Sequence, residues 1–93
     1  MKTITVSIGN SDNKLTQEEW ARFCKIINSK HEYFANEIYF YGLSNPDSVY
    51  QNASWISSID EESIEDFVDE LTDVRKSFRQ DSIAILVGET RFI

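Results

Sequence analysis

The chain has 93 residues, enough for one domain with a thin core. Sixteen acidic side chains against nine basic ones give a formal charge of −7. This excludes non-specific binding to DNA, RNA or an anionic membrane surface, each of which needs basic patches. A single cysteine, Cys24, excludes an intrachain disulfide and a zinc cluster built from thiolates, and its helical apolar spacing assigns it to the core. No stretch is apolar enough for a transmembrane helix or a signal peptide, so a cytoplasmic protein is expected. Without a secretory signal, the glycosylation sequon Asn52-Ala53-Ser54 reads as coincidence.

Thr3 to Ile8 alternates strictly, with Ile4, Val6 and Ile8 on one face and Thr3, Thr5 and Ser7 on the other, which predicts a half-buried strand. Gly9-Asn10 ends it. Thr16 and Glu19 have the spacing of a capping box, flanked by Leu15 and Trp20 as a hydrophobic staple. Trp20, Phe23, Cys24 and Ile27 then follow at i, i+3, i+4 and i+7, predicting a helix to about Ser29. Glu37 to Leu43 is β-rich, with Ile38 and Phe40 assigned to the core face and Tyr39 and Tyr41 to the other. Ser44-Asn45-Pro46-Asp47-Ser48 is a turn signal, and a third strand returns over roughly Ala53–Ile59, its faces left open because Trp55 and Ile56 are adjacent.

A second helix carries the stripe Ile64, Phe67, Val68, Leu71, Val74 and Phe78. Eight of the sixteen acids fall between Asp60 and Asp73, with Arg75, Lys76 and Arg79 at the helix end, an order that complements the helix dipole and suits a solvated face. Ser82 to Val87 is the last strand; Gly88 interrupts it, and Glu89 to Ile93 are expected to continue it.

The order β-α-β-β-α-β in a single domain over residues 1–93 gives an α+β, ferredoxin-like sandwich. Its four-stranded antiparallel sheet, in order 4-1-3-2, carries two helices on one face. Strand direction then brings three polar runs to one end: Gly9 to Lys14, Tyr50 to Trp55, and Arg79 to Ser82. The candidate ligand-binding residues are Asn10, Ser11, Asp12, Lys14, Gln51, Asn52, Trp55, Arg79, Gln80 and Asp81, with Asn13 and Ser82 beside them. The N-terminus of the first helix points the same way and favours an anion. Asn, Asp and Ser are also ordinary turn residues that bond their own backbone, but Gln51 and Arg79-Gln80 are not usual turn formers.

There is no glycine-rich phosphate loop, and His31, the sole histidine, is expected as an exposed helix-end residue far from the polar runs. Neither a catalytic residue, nor a metal site, nor a cofactor is expected; the carboxylates Asp12 and Asp81 could do acid–base work only if close. Tyr39 and Tyr41 are expected on the open sheet face, joined by Trp55 if its side of the third strand faces outward, and a sheet-to-sheet homo-oligomer would cover these rings.

The strings Ile8-Gly9-Asn10-Ser11-Asp12, Lys14-Leu15, Glu19-Trp20, Gln51-Asn52-Ala53 with Trp55, and Arg79-Gln80-Asp81-Ser82-Ile83-Ala84 resemble a group of small, mostly uncharacterised proteins of bacteriophages and their bacterial hosts. The similarity covers nearly the whole chain. The resemblance implies a phage accessory protein acting in the host cytoplasm, where such proteins often block defences by binding rather than by catalysis. Two functions are expected from this and from the charge. The first is a module that sequesters a small nucleotide-like ligand. There Lys14 and Arg79 meet phosphate, Asn10, Gln51 and Asn52 read polar edges, and Trp55 or Tyr50 stacks on a base. The second is an acidic inhibitor that docks Glu62, Glu65, Asp66, Asp69 and Asp73 on a basic host protein, with no direct nucleic-acid contact.

Overall fold

The computed structural model describes residues 1–45 and 50–93. Strand β1 (Lys2–Gly9) leads to helix α1 (Gln17–Phe34), which feeds directly into β2 (Ala35–Leu43). Strand β3 (Asn52–Ile59), a short 3-10 turn (Glu61–Ser63), helix α2 (Ile64–Ser77) and strand β4 (Ala84–Gly88) complete the chain. The strands form one antiparallel sheet in the order β2-β3-β1-β4, a ferredoxin-like α+β arrangement. Of the expected turn, Pro46, Asp47 and Ser48 lie outside the described residues. Its flanks are closed by Ser44, whose N–H donates to the Asn52 carbonyl and whose Oγ accepts from the Asn52 N–H.

The alternation in β1 is realised: Ile4, Val6 and Ile8 are buried, and each is flanked by half-buried neighbours. In β3 the core face is Ala53, Trp55 and Ser57, which puts Ile56 on the open side. From the helices, Trp20, Phe23, Cys24 and Ile27 meet Phe67, Leu71, Val74 and Phe78 in the same cluster. Phe23 stacks on Phe78 at 4.9 Å between ring centroids, tying the start of α1 to the end of α2. Truncating a ring as buried as Phe67 costs about 3–5 kcal/mol, a large share of the stability of a domain this small.

Four expectations are corrected. First, α1 does not stop near Ser29 but runs to Phe34, since no glycine or proline interrupts it and the Ala35 N–H closes the last turn on the His31 carbonyl. Second, His31 is not exposed: it extends the stripe from Ile27 by four residues and is fully buried. Third, the faces of β2 are exchanged beyond Ile38. Ile38 pairs with Ser57 but Phe40 pairs with Ile56, so two steps on β2 match one on β3. This bulge turns Phe40 to the open face and brings Tyr41 onto Trp55, stacked at 4.6 Å and 7°. Fourth, β4 is shorter than expected. Ser82 and Ile83 precede it, and the segment after Gly88 leaves the sheet and turns inward over β1, where Glu89 accepts from Lys2 Nζ at 2.8 Å and the Thr90 and Thr3 hydroxyls meet.

Candidate functional site

The β1–α1 loop is built around Asn10, which is 1% exposed. Its Oδ1 accepts from the Leu15 N–H at 3.0 Å, and its Nδ2 donates both to the Leu15 carbonyl at 3.0 Å and to Gln51 Oε1 at 2.9 Å. Its backbone N–H donates to the Gln51 carbonyl at 2.8 Å, and its carbonyl accepts from Asn13, which takes a left-handed conformation at φ 57°. Asn10 is therefore the brace of the loop rather than a group that reads a ligand's edges; its polar atoms are already matched. Gln51 in turn makes a reciprocal amide pair with Gln17, at 2.8 and 3.2 Å. Nothing in the spacing of Gln17 distinguishes it, because the pairing spans 34 residues.

Gly9 pairs with Asn52 across the sheet, and a Cβ on Gly9 would come within 2.9 Å of Asn52 Oδ1. A glycine there lets the two strand ends approach where the polar loops begin. Asn52 and Gln51 fasten the loops together and stand apart from the cleft described next.

A cleft of about 250 Å³ lies between the β1–α1 loop and the α2–β4 loop, lined by Ser11, Asp12, Gln80, Asp81 and Ser82 over the end of β1 and the start of β4. Lys14 is not part of the lining but bridges its two carboxylates, with Nζ 3.0 Å from Asp81 Oδ2 and 3.8 Å from Asp12 Oδ2. The hydrogen bond to Asp81 raises the Lys14 pKa above its ordinary value, opposed by partial burial and assisted by the charges of Asp81 and Asp12. Asp12 also accepts from the Lys14 N–H at 3.2 Å, an Asx turn that fixes its carboxylate. The first and third polar runs thus meet across one ammonium group. The cleft polarity comes from hydroxyls and two carboxylates around one cation, so it is not an open anion hole.

The α2–β4 loop is a Schellman cap. The Gln80 N–H donates to the Arg75 carbonyl and the Arg79 N–H to the Lys76 carbonyl, with Arg79 left-handed at φ 57°. This position favours glycine, so a long cationic side chain here carries backbone strain. The Arg79 guanidinium donates to Glu19 Oε2 at 2.8 Å, on the α1 side of the loop and outside the cleft. That contact, with the Thr16 backbone N–H as the next cause, pulls the Glu19 carboxyl down to about 2. The expected capping box is formed, Glu19 accepting from the Thr16 N–H and Thr16 from the Glu19 N–H. The N-terminus of α1 is thereby served by the chain's own carboxylate rather than standing open to an anion. Gln80 is mostly buried and donates to the Phe78 carbonyl, so it forms the cleft wall.

Trp55, expected as a base-stacking surface, is fully buried. Its Nε1 donates to Asn28 on α1, and its ring stacks on His31 as well as on Tyr41. His31 Nδ1 shares a hydrogen bond with Ser57 Oγ at 3.1 Å, while Nε2 has no hydrogen-bond partner among the described residues. Burial pulls the His31 pKa down to about 4, so the ring is neutral in the folded chain. Among the described residues no group of three or more His, Cys, Asp or Glu side chains is placed to hold a metal ion, and no helix is long and apolar enough to cross a membrane. No family model and no curated protein matches the chain.

Proposed function

We propose that the protein is a non-catalytic binding module whose cleft between the β1–α1 and α2–β4 loops takes part of a small, nucleotide-like ligand. The observation that carries this reading is the placement of Asp12 and Asp81 about the single ammonium of Lys14 at a cleft that also presents Ser11 and Ser82. At about 250 Å³ it is close to the lower end of small-molecule pockets, about 300–1,000 Å³, and suits one moiety of a ligand. Carboxylates accept sugar hydroxyls, as acidic side chains do in dinucleotide sites, and Lys14 meets a phosphate at the rim by exchanging Asp81 for it. Both ion pairs of Lys14 are solvent-exposed, so that exchange is cheap. Arg79 reaches a second phosphate only by releasing Glu19. In the phage and host setting that the sequence resemblance implies, such a module would blunt a defence by sequestering a nucleotide signal. Titration calorimetry with a panel of linear and cyclic nucleotides should give saturable heat with at least one, weakened by Lys14→Ala and by Asp81→Ala. Absence of heat across the panel removes this reading.

A second reading is favoured by a separate observation. Glu62, Glu65, Asp66, Asp69 and Asp73 are all exposed, and none has an ion-pair partner among the described residues. A basic host protein docked along α2 would neutralise them. Charge reversal at Asp66 and Asp69 should then abolish a salt-sensitive pull-down, whereas a capture indifferent to salt and to reversal speaks against it.

A further inference from the structure

A second groove, of about 320 Å³, lies between α2 and the start of β4. It shares Asp81 and Ser82 with the polar cleft as a common wall but is otherwise distinct from it. Val68 and Leu71 of α2 face Ile83 and Ile85 across it, so its floor is aliphatic. The Thr72 hydroxyl beside that floor already donates to the Val68 carbonyl.

Two charged side chains reach the groove, Arg75 and Asp81. Asp81 is matched, with Oδ2 accepting from Lys14 Nζ at 3.0 Å. Arg75 is half-buried and has no carboxylate within ion-pair distance among the described residues. The other basic side chains without an acidic partner, Arg22, Lys25, Lys76 and Arg91, are all exposed, where water serves them. Among the described residues, Arg75 alone gives up hydration without gaining a counter-charge, in a sequence of sixteen acids and nine bases. Withdrawing an unpaired charge from water is costly. Its Nη1 donates to the Gln80 carbonyl at 3.0 Å, and a neutral acceptor offsets that cost only in part. The same bond holds the guanidinium in place and leaves Nη2 and Nε as a planar edge of two donors.

We propose that this groove binds a small monocarboxylic acid, its carboxylate on the free edge of Arg75 and its hydrocarbon body on Val68, Leu71, Ile83 and Ile85. The volume is near the lower end of small-molecule pockets, about 300–1,000 Å³, which sets the body at one short chain or one ring. The aliphatic floor offers that body no hydrogen bond, so it is hydrocarbon. One guanidinium edge matches the two oxygens of one carboxylate. The Asp81 carboxylate on the shared wall disfavours a second negative charge, so a phosphate monoester fits less well than a monoanion. Arg75 does not line the polar cleft, so this site stands independently of the nucleotide reading.

Hexanoate is the probe. Added to the isotope-labelled full chain, it should shift the backbone amides of Thr72, Ser82 and Ile83 saturably in two-dimensional NMR. Hexan-1-ol, with the same body and no charge, and inorganic phosphate, with charge and no body, should each bind about tenfold more weakly. Arg75→Gln, which keeps an amide donor for the Gln80 carbonyl, should weaken hexanoate on the order of ten- to a hundredfold. Arg75→Lys, which keeps the charge but not the planar edge, should fall between Arg75→Gln and the wild-type chain. Lys76→Gln, which removes the same charge from an exposed position outside the groove, should leave the affinity unchanged. The wild-type titration decides even if an Arg75 variant fails to fold: no saturable shift at the highest concentration the protein tolerates overturns the proposal. So does hexan-1-ol binding as tightly as hexanoate, or a loss in Lys76→Gln equal to that in Arg75→Gln. A leucine-terminated hexapeptide that binds where hexanoate does not overturns it as well, since the groove then serves a protein terminus.

Discussion

Acidification from pH 6.5 to 4 should remove a defined part of the stability through one side chain, His31. The ring is fully buried, stacked on Trp55 at 5.3 Å and edge-on to Phe67 at 5.1 Å, with one nitrogen on Ser57. Its pKa falls from an ordinary 6.5 to about 4 because burial penalises the charged form. Between those values the unfolded chain binds a proton that the folded chain refuses, so stability falls as pH falls. The contribution is intact above pH 6.5 and fully lost below about 4. At about 1.4 kcal/mol per pH unit, the interval amounts to about 3 kcal/mol, against a total of roughly 5–14 kcal/mol for a chain of this length. The pull on Glu19 acts lower, between its ordinary 4.5 and about 2. Its contribution is lost as pH falls through that range, so the two windows barely overlap. Urea unfolding followed by tryptophan fluorescence at stepped pH should show the slope in the wild-type chain and lose it in His31→Gln, which keeps a partner for Ser57. A flat stability between pH 6.5 and 4, or a His31 proton resonance titrating near 6.5, would refute the reasoning.

Asn10→Ala should cost about 2–4 kcal/mol in denaturant unfolding, because the buried Leu15 N–H and carbonyl both lose their partner. Arg79→Gly should be more stable than Arg79→Ala by about 1 kcal/mol, since only glycine sits at φ 57° without strain; equal stabilities would show that the loop relaxes instead. Gly9→Ala should displace the Asn52 side chain and cost under about 1 kcal/mol, because the atom it meets is the end of a movable side chain, and Gly9→Ala combined with Asn52→Ala should recover most of that. Cys24, buried and with its thiol pushed up to about 11 by burial, should resist a thiol reagent at pH 8 in the folded chain and react at once in urea.

Periodicity carried the fold because its signals are local. Ile4, Val6 and Ile8 alternate, Trp20 to Ile27 and Phe67 to Phe78 repeat with the helix, and Thr16 with Glu19 writes the start of α1 in four residues. From those elements and their order, the direction of each strand and the shared end of the polar loops follow. The chain also holds a cue that leads to His31, four residues after Ile27 on the same stripe, although a polar residue near a charged segment reads more easily as a helix end.

Which polar residues line a cleft and which merely hold it together was decided only by tertiary contacts. Asn10 and Asp12 belong to the same run, yet one is sealed by Leu15 and Gln51 while the other faces Lys14. Arg79 and Asp81 are two residues apart, yet they pair with different partners on opposite sides of their loop. The bulge in β2 likewise has no local mark: it shows only in the pairing of Phe40 with Ile56, more than a dozen residues away, and it brings Tyr41 onto Trp55 and turns Phe40 to the open face. Sequence by itself determined the elements and their order, since backbone and side-chain preferences act within a few residues. Tertiary structure alone decided burial, register and the pairing of charges, since each depends on which distant group the packed chain brings within bonding distance.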